Sequence, residues 1–160
     1  MKIFYLEMLS PVALRPKHTD DPEFRVLEMV VPQPAFNQYL YTLVGQQWQW
    51  FDKQQWTAEQ WRDHVLAGNL RTWVAYKGGT PAGYFELQQM RHGRVEILYF
   101  GLAPGFIGQG YGGPLLTEAI RQAWAWDAAR VTVQTCTLDH PGALANYQAR
   151  GFTIYDEVEK

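Results

Sequence analysis

Cysteine is nearly absent: the 160-residue chain holds one, Cys136, which excludes an intramolecular disulfide. No Cys/His group has zinc spacing, so no metal is expected and the fold must rest on its own core. A reducing, cytoplasmic setting fits. An excess of one charge is lacking too. Fourteen Lys+Arg against sixteen Asp+Glu give a net charge of −2, with no run of five like charges, so neither nucleic acid nor an anionic membrane meets an electrostatic footprint. No apolar run approaches the ~18 residues of a membrane span. The opening MKIFYLEMLSPVAL is broken by Glu7, Ser10 and Pro11 where a secretory leader needs a continuous apolar stretch. The expectation is a chain neither secreted nor membrane-spanning.

What is present is core material. Residues are 47% hydrophobic and 15% aromatic, enough at this length for one globular domain. Lys2–Leu9 and Phe24–Val31 read as strands separated by a Pro-punctuated connector. Leu40, Leu43 and Val44 stand at helical spacing before Gly45, and Thr57 with Gln60 forms a capping-box pattern for a second helix ending near Gly68. Arg71–Tyr76 and Pro81–Gln88 flank Gly78-Gly79 as a hairpin. Val95–Leu102 is almost wholly apolar apart from Glu96, the pattern of a central strand buried on both faces. Leu115, Leu116, Ala119, Ile120, Ala123 and Trp124 then form the apolar stripe of a helix of about four turns. Strand Val131–Leu138, helix Pro141–Arg150 and strand Phe152–Tyr155 close the chain. The order predicts a mixed α+β domain with a β-α-β centre.

The richest local signal is the run Pro104 to Gly113, with five glycines in nine residues from Gly105 onward. Placed between a strand and a helix N-terminus, it lets backbone N–H groups and the helix dipole approach a phosphate. A merely tight turn is the plainer alternative. Gly108, Gly110 and Gly113 also fit the dinucleotide fingerprint, with Asp139 as the ribose carboxylate, and an NAD-type oxidoreductase follows from that reading. Only 47 residues remain after Gly113, however, too few for a doubly wound sheet. Pro114 and Leu115 replace the Lys-Ser/Thr ending of a nucleotide-triphosphate loop.

Leu102-Ala103-Pro104, Ile107-Gly108-Gln109-Gly110-Tyr111-Gly112 and Leu115-Leu116 together resemble the acetyl-CoA-binding motif of the GNAT N-acetyltransferase superfamily. Gly110 and Gly112 fall on its last two fixed positions, and its Arg/Gln position falls on Ile107. Ala143 to Phe152, with Tyr147 and Gly151-Phe152, resembles the family's closing segment, with His140 where an Asn is frequent. The resemblance runs from about Phe24 to Tyr155. It implies a mostly antiparallel sheet flanked by helices with a splayed central strand, a domain over residues 24–160, and an added strand and connector over 1–23 packed on it. It also implies acetyl-CoA as co-substrate, held by Leu102, Ile107, Gly108, Gln109 and Gly110, with Tyr111, Gly112, Gly113, His140 and Asn146 completing the site. The acceptor is a primary amine of a small molecule or peptide, and a homodimer is compatible with the family. A non-catalytic acyl-CoA-binding domain is the alternative that Ile107 and His140 keep open.

Acetyl transfer to an amine needs a lone pair on nitrogen and a proton for the departing thiolate. Glu96 has the family's general-base position, where burial raises a carboxyl from its reference near ~4.3; an ion pair with Arg91 or Arg94 is the structural alternative. Tyr147 has the acid position, a phenol protonated at neutral pH, or else a packed helix Tyr. N–H groups near Leu102 could hold the thioester oxygen. Cys136 with His140 as a covalent carrier is disfavoured, a lone strand Cys being usually a small buried hydrophobe, so direct transfer in a ternary complex is expected. Trp48, Trp50 and Asp52, close to Trp56 between the first helices, suit an amine by cation–π and ion-pair contacts, or pack the connector onto the core.

Overall fold

Strand-forming runs and two apolar helical stripes settle into a single sheet with helices on both faces in the computed structural model, which describes residues 1–160. The strands are β1 (Lys2–Met8), β2 (Phe24–Glu28), β3 (Leu70–Lys77), β4 (Thr80–Gln89), β5 (Arg94–Leu102), β6 (Arg130–Cys136) and β7 (Thr153–Glu159). The helices are α1 (Pro34–Gly45), α2 (Ala58–Val65), α3 (Gly112–Ala125) and α4 (Ala143–Arg150). Sheet order is β2-β3-β4-β5-β6-β1-β7, antiparallel throughout except for β5 and β6. This is the expected α+β class.

The stripe on α3 buries Leu115, Leu116, Ala119, Ile120 and Ala123 against Phe85, Leu87, Val95, Ile97, Val131 and Val133. Each of these leucines is fully buried, worth ~1.5–3 kcal/mol apiece. On the opposite face α1 lays Leu40 and Val44 over Val74 and Tyr84. The capping box forms as its spacing predicts: Gln60 N–H donates to Thr57 Oγ1 at 3.2 Å and Thr57 N–H to Gln60 Oε1 at 2.8 Å. Gly78 and Gly79 turn the β3–β4 hairpin, both at positive φ.

Some boundaries differ from the sequence expectation. Strand β2 stops at Glu28, because Val30 and Val31 lie in a turn with 80% and 82% exposure ahead of Pro32. Strand β7 runs on to Glu159 because β1 lies beside it, Lys2 opposite Glu159. The opening strand, expected as an addition packed on the domain, lies inside the sheet and pairs with β6 on one side and β7 on the other. Its alternation explains this: Leu6 and Met8 join the α3-side core.

The connector after β1 is stitched to the end of α4. Arg15 N–H donates to Arg150 O at 2.8 Å, and Gly151 caps α4 at φ +114°, with Ala13 O 2.1 Å from where a Cβ would stand. Both the backbone angle and the close carbonyl exclude any side chain. Gly151→Ala is expected to cost about 2–3 kcal/mol, a fall of roughly 5–10 °C in the thermal midpoint followed by circular dichroism; an unchanged midpoint would contradict the packing.

Candidate active site

Strands β5 and β6 pair only from Arg94 opposite Arg130 to Ile97 opposite Val133. Immediately beyond, β5 carries a bulge: Glu86 faces Tyr99 and Leu87 faces Ile97, which leaves Leu98 without an opposite residue. A bulge bends its strand and ends regular pairing, so Leu98–Leu102 diverges from Gln134–Cys136. The gap opens into a cavity of about 650 Å³. Its walls are the end of β5, the end of β6, the start of the glycine loop, α4 and residues 48–53.

At one end stands the N-terminus of α3. It has no side-chain cap and no acidic residue in its first turn, so its first N–H groups are available to an anion. Gly108 and Gly110 adopt φ +81° and +88°, and a Cβ on either would meet nothing within 4 Å. Their glycine identity thus serves backbone conformation rather than space. Gly113 is different: a Cβ there would lie 2.5 Å from the Arg150 guanidinium and 2.6 Å from the Lys17 stem. Neither cation has an ion-pair partner. Two free positive charges therefore flank the glycine loop, in which Ile107 stands at the Arg/Gln position. The only signal for them in the sequence is their charge; Lys17 arrives from a connector 96 positions before Gly113.

Leu102, Ile107, Gly108, Gly112, His140, Asn146 and Tyr147 all line the cavity. Gln109, Gly110, Tyr111 and Gly113 do not. The Gln109 side chain closes its own loop, Nε2 donating to Gly105 O at 2.9 Å. Tyr111 turns away to the connector, its hydroxyl donating to Asp21 Oδ2 at 2.5 Å and its ring stacked on Phe24 at 4.4 Å. Lys77 Nζ donates to the same carboxyl oxygen. Asn146 Nδ2 donates to Gly112 O at 3.1 Å, fastening α4 to the first residue of α3. His140 Nδ1 accepts the Gly142 N–H at 2.8 Å, with its ring edge-on to Trp48 at 5.0 Å.

Tyr147 is 5% exposed, edge-on to Phe100 and Phe152, both at 6.1 Å. Burial, with a smaller contribution from the charge of Asp139, pushes its phenol well above the ordinary range. Glu96 lies outside the cavity. Arg94 donates to it at 3.2 Å and also to Thr132 Oγ1 at 2.9 Å. Burial raises the Glu96 carboxyl nonetheless, with Arg94 opposing.

Trp48, Trp50 and Asp52 also line the cavity, from a segment without helix or strand. Trp50 is fixed on several sides. Its Nε1–H donates to Asp139 Oδ1 at 3.3 Å, and Gly45 leaves room for its ring, 2.4 Å from where a Cβ would stand. Asp139 is a tie the sequence reading missed: its other oxygen accepts from Thr135 Oγ1 at 2.5 Å and from Cys136 N–H at 3.2 Å. A carboxylate so engaged by its own chain is not a free ribose ligand. Asp52 accepts Tyr41 Oη at 2.9 Å, Lys53 Nζ at 3.1 Å and the Tyr99 hydroxyl. Burial pushes its carboxyl up, but the bonds from Tyr99 and Lys53 outweigh this and hold it below the usual carboxylate range.

The Acetyltransferase (GNAT) family model matches residues 37–152. No curated protein matches the chain significantly. Among solved structures, a GCN5-related N-acetyltransferase from Sphaerobacter thermophilus superposes with TM-score 0.74 at 15% identity, over 98% of this chain and 49% of that one. An aminoglycoside acetyltransferase, meta-AAC0020, from an uncultured soil metagenomic sample superposes with TM-score 0.73 at 15% identity, over 89% and 96%. An IAA acetyltransferase from Bacillus cereus gives TM-score 0.63 at 26% identity, over 82% and 79%. The chain spans about half the length of several relatives, 56% for a protein from Kribbella flavida.

Asp21 ties the connector to the glycine loop by charge. The hydrogen bonds from Lys77 and then Tyr111 lower its pKa to about 2. A carboxyl depressed on folding adds stability that is complete above its unfolded value near ~3.9 and is lost as pH falls through the folded value. Wild type should therefore exceed Asp21→Asn in urea midpoint at pH 5, with the gap closing as pH falls from 4 toward 2. A gap independent of pH would contradict an ionic tie.

Proposed function

The chain belongs to the GNAT acetyltransferase family, and from that premise we propose that it transfers the acetyl group of acetyl-CoA to a primary amine by direct attack in a ternary complex. The observation that carries the reading is the single cavity joining the glycine loop at the α3 N-terminus to buried Tyr147 through the gap between β5 and β6. Its volume is in the range of small-molecule sites. The free N–H groups of α3, with Lys17 and Arg150 alongside, suit the phosphates, and backbone charge there stands in for the side chain that Ile107 lacks. The unpaired edge of Leu98–Leu102 offers N–H groups to the thioester oxygen as charge develops on it.

In the step itself the amine nitrogen bonds to the acetyl carbon, the carbon–sulfur bond breaks, and the thiolate takes the Tyr147 proton. A phenol held protonated by burial is suited to that role. Glu96 is the proton acceptor through solvent on the sheet face it shares with Thr132. Burial raises its carboxyl toward the range where a general base works, and Arg94 opposes that rise. A covalent Cys136 carrier has no support: the His140 nitrogen that could serve as base is engaged by Gly142 N–H. The same occupied site without turnover would be an acyl-CoA-binding domain. No helix is long and apolar enough to cross a membrane; the use of acetyl-CoA is what supports a cytoplasmic setting.

Tyr147→Phe is expected to lower kcat by ~10²–10⁴-fold while leaving acetyl-CoA affinity within about threefold, measured by free-thiol release and calorimetry. Since activity requires ionised Glu96, wild type should lose rate as pH falls through the raised carboxyl value, and Glu96→Gln should be slow with that acid limb absent. Full activity in Tyr147→Phe would overturn the acid assignment. An unchanged acid limb in Glu96→Gln would overturn the base.

A further inference from the structure

Beside the cavity the chain encloses one of its own primary amines. Lys53 lines the cavity wall, yet its side chain is only 11% exposed. Its ammonium donates to Asp52 Oδ2 at 3.1 Å and to Tyr99 Oη at 2.6 Å, and stands over the Trp56 ring at 4.5 Å and the Tyr99 ring at 4.8 Å. A carboxylate, a phenol hydroxyl and an indole face around one ammonium are groups that recognise an alkylammonium. Asp52 itself is 58% exposed, so the anionic wall is reachable from outside.

The occupant can leave without dismantling the walls. Tyr41 on α1 and Tyr99 on β5 hold the two Asp52 oxygens from regular elements. The Lys53 backbone is pinned separately, its N–H donating to Tyr41 Oη at 3.0 Å. Rotation of the Lys53 side chain alone, on a segment without helix or strand, would vacate the cage.

We propose that this cage binds a linear aliphatic diamine or polyamine by its non-reacting ammonium, and that Lys53 is an internal stand-in displaced when that substrate enters. The inference rests on the amine-acetyltransferase reading and names its substrate class. An ammonium held against an ionised carboxylate has no lone pair and cannot be the nucleophile. The caged nitrogen is therefore an anchor, and the substrate carries a second amino group that reaches the thioester. The occupant already there is an ammonium on an unbranched four-carbon stem, and a linear alkyl amine repeats that shape.

An internal occupant lowers the apparent affinity for an added amine by the fraction of time the cage is empty, so removing it tightens binding. The test is calorimetric titration of cadaverine into the CoA-bound protein at neutral pH, with wild type, Lys53→Met and Lys53→Gln. The Met variant keeps the stem volume and removes only the ammonium, so the amine must enter from the cavity rather than refill a hole. Expected is binding about tenfold tighter in both variants, absent for 1-pentanol and abolished by adding Asp52→Asn to either. Cadaverine binding no tighter than wild type in a folded variant, or tightening that survives loss of the Asp52 carboxylate, would overturn the proposal. Because the readout is binding, the two readings fail separately: tight cadaverine binding without thiol release sinks acetyl transfer and leaves the cage, whereas thiol release with other amines and no tightening sinks the cage alone.

Discussion

Everything the site does depends on β5 and β6 parting after four paired residues. Two strands that separate in mid-sheet leave main-chain groups unpaired, and buried unpaired groups are costly. The chain limits that cost on both sides. On β6 the far edge is covered by β1 to its end, Ile3 opposite Cys136. On β5 the far edge stays paired with β4 as far as Gly83 opposite Leu102. Each strand in the gap thus keeps a paired outer edge, broken on β5 only at the Leu98 bulge, and the edges facing the cavity are free to meet a ligand.

The first 23 residues consequently belong to the working part of the molecule. Strand β1 supports the diverging end of β6. The connector then passes behind the glycine-loop end of the cavity, bringing Lys17 to Gly113 and Asp21 to Tyr111. The glycine loop needs positive φ at Gly108 and Gly110 and has little packing of its own, so anchoring Tyr111 from behind limits its motion where a phosphate would bind. The polar ties come from side chains far apart in sequence, which is why the loop alone reads as an incomplete motif.

Local signals carried much of this into the sequence. The alternation of strands, the Thr57 box, the Gly-Gly hairpin and the α3 stripe are short-range patterns, and they appear where spacing places them. Tyr147, singled out by the family resemblance, and Gly108 and Gly112 of the glycine loop do meet at one cavity. The place of β1 was not legible, since pairing with β6 and β7 spans more than 120 positions and leaves no periodic trace. Nor was the fate of the polar groups: Asp52 reads as a free anion until Tyr41, Tyr99 and Lys53 close on it, and Glu96 takes the Arg94 partner that the sequence offers only as one of two alternatives. Charge alone does not reveal which partner a side chain will find.

The central claim is that the gap between β5 and β6, with the α3 N-terminus at its end, is an acyl-CoA site. Thermal unfolding with acetyl-CoA, with NAD and with no ligand tests it most directly. A ligand at a hundred times its dissociation constant adds about 2.7 kcal/mol, a midpoint rise of roughly 5–10 °C at this size. The account predicts that rise with acetyl-CoA and none with NAD. No rise with acetyl-CoA, or a rise with NAD alone, would contradict it.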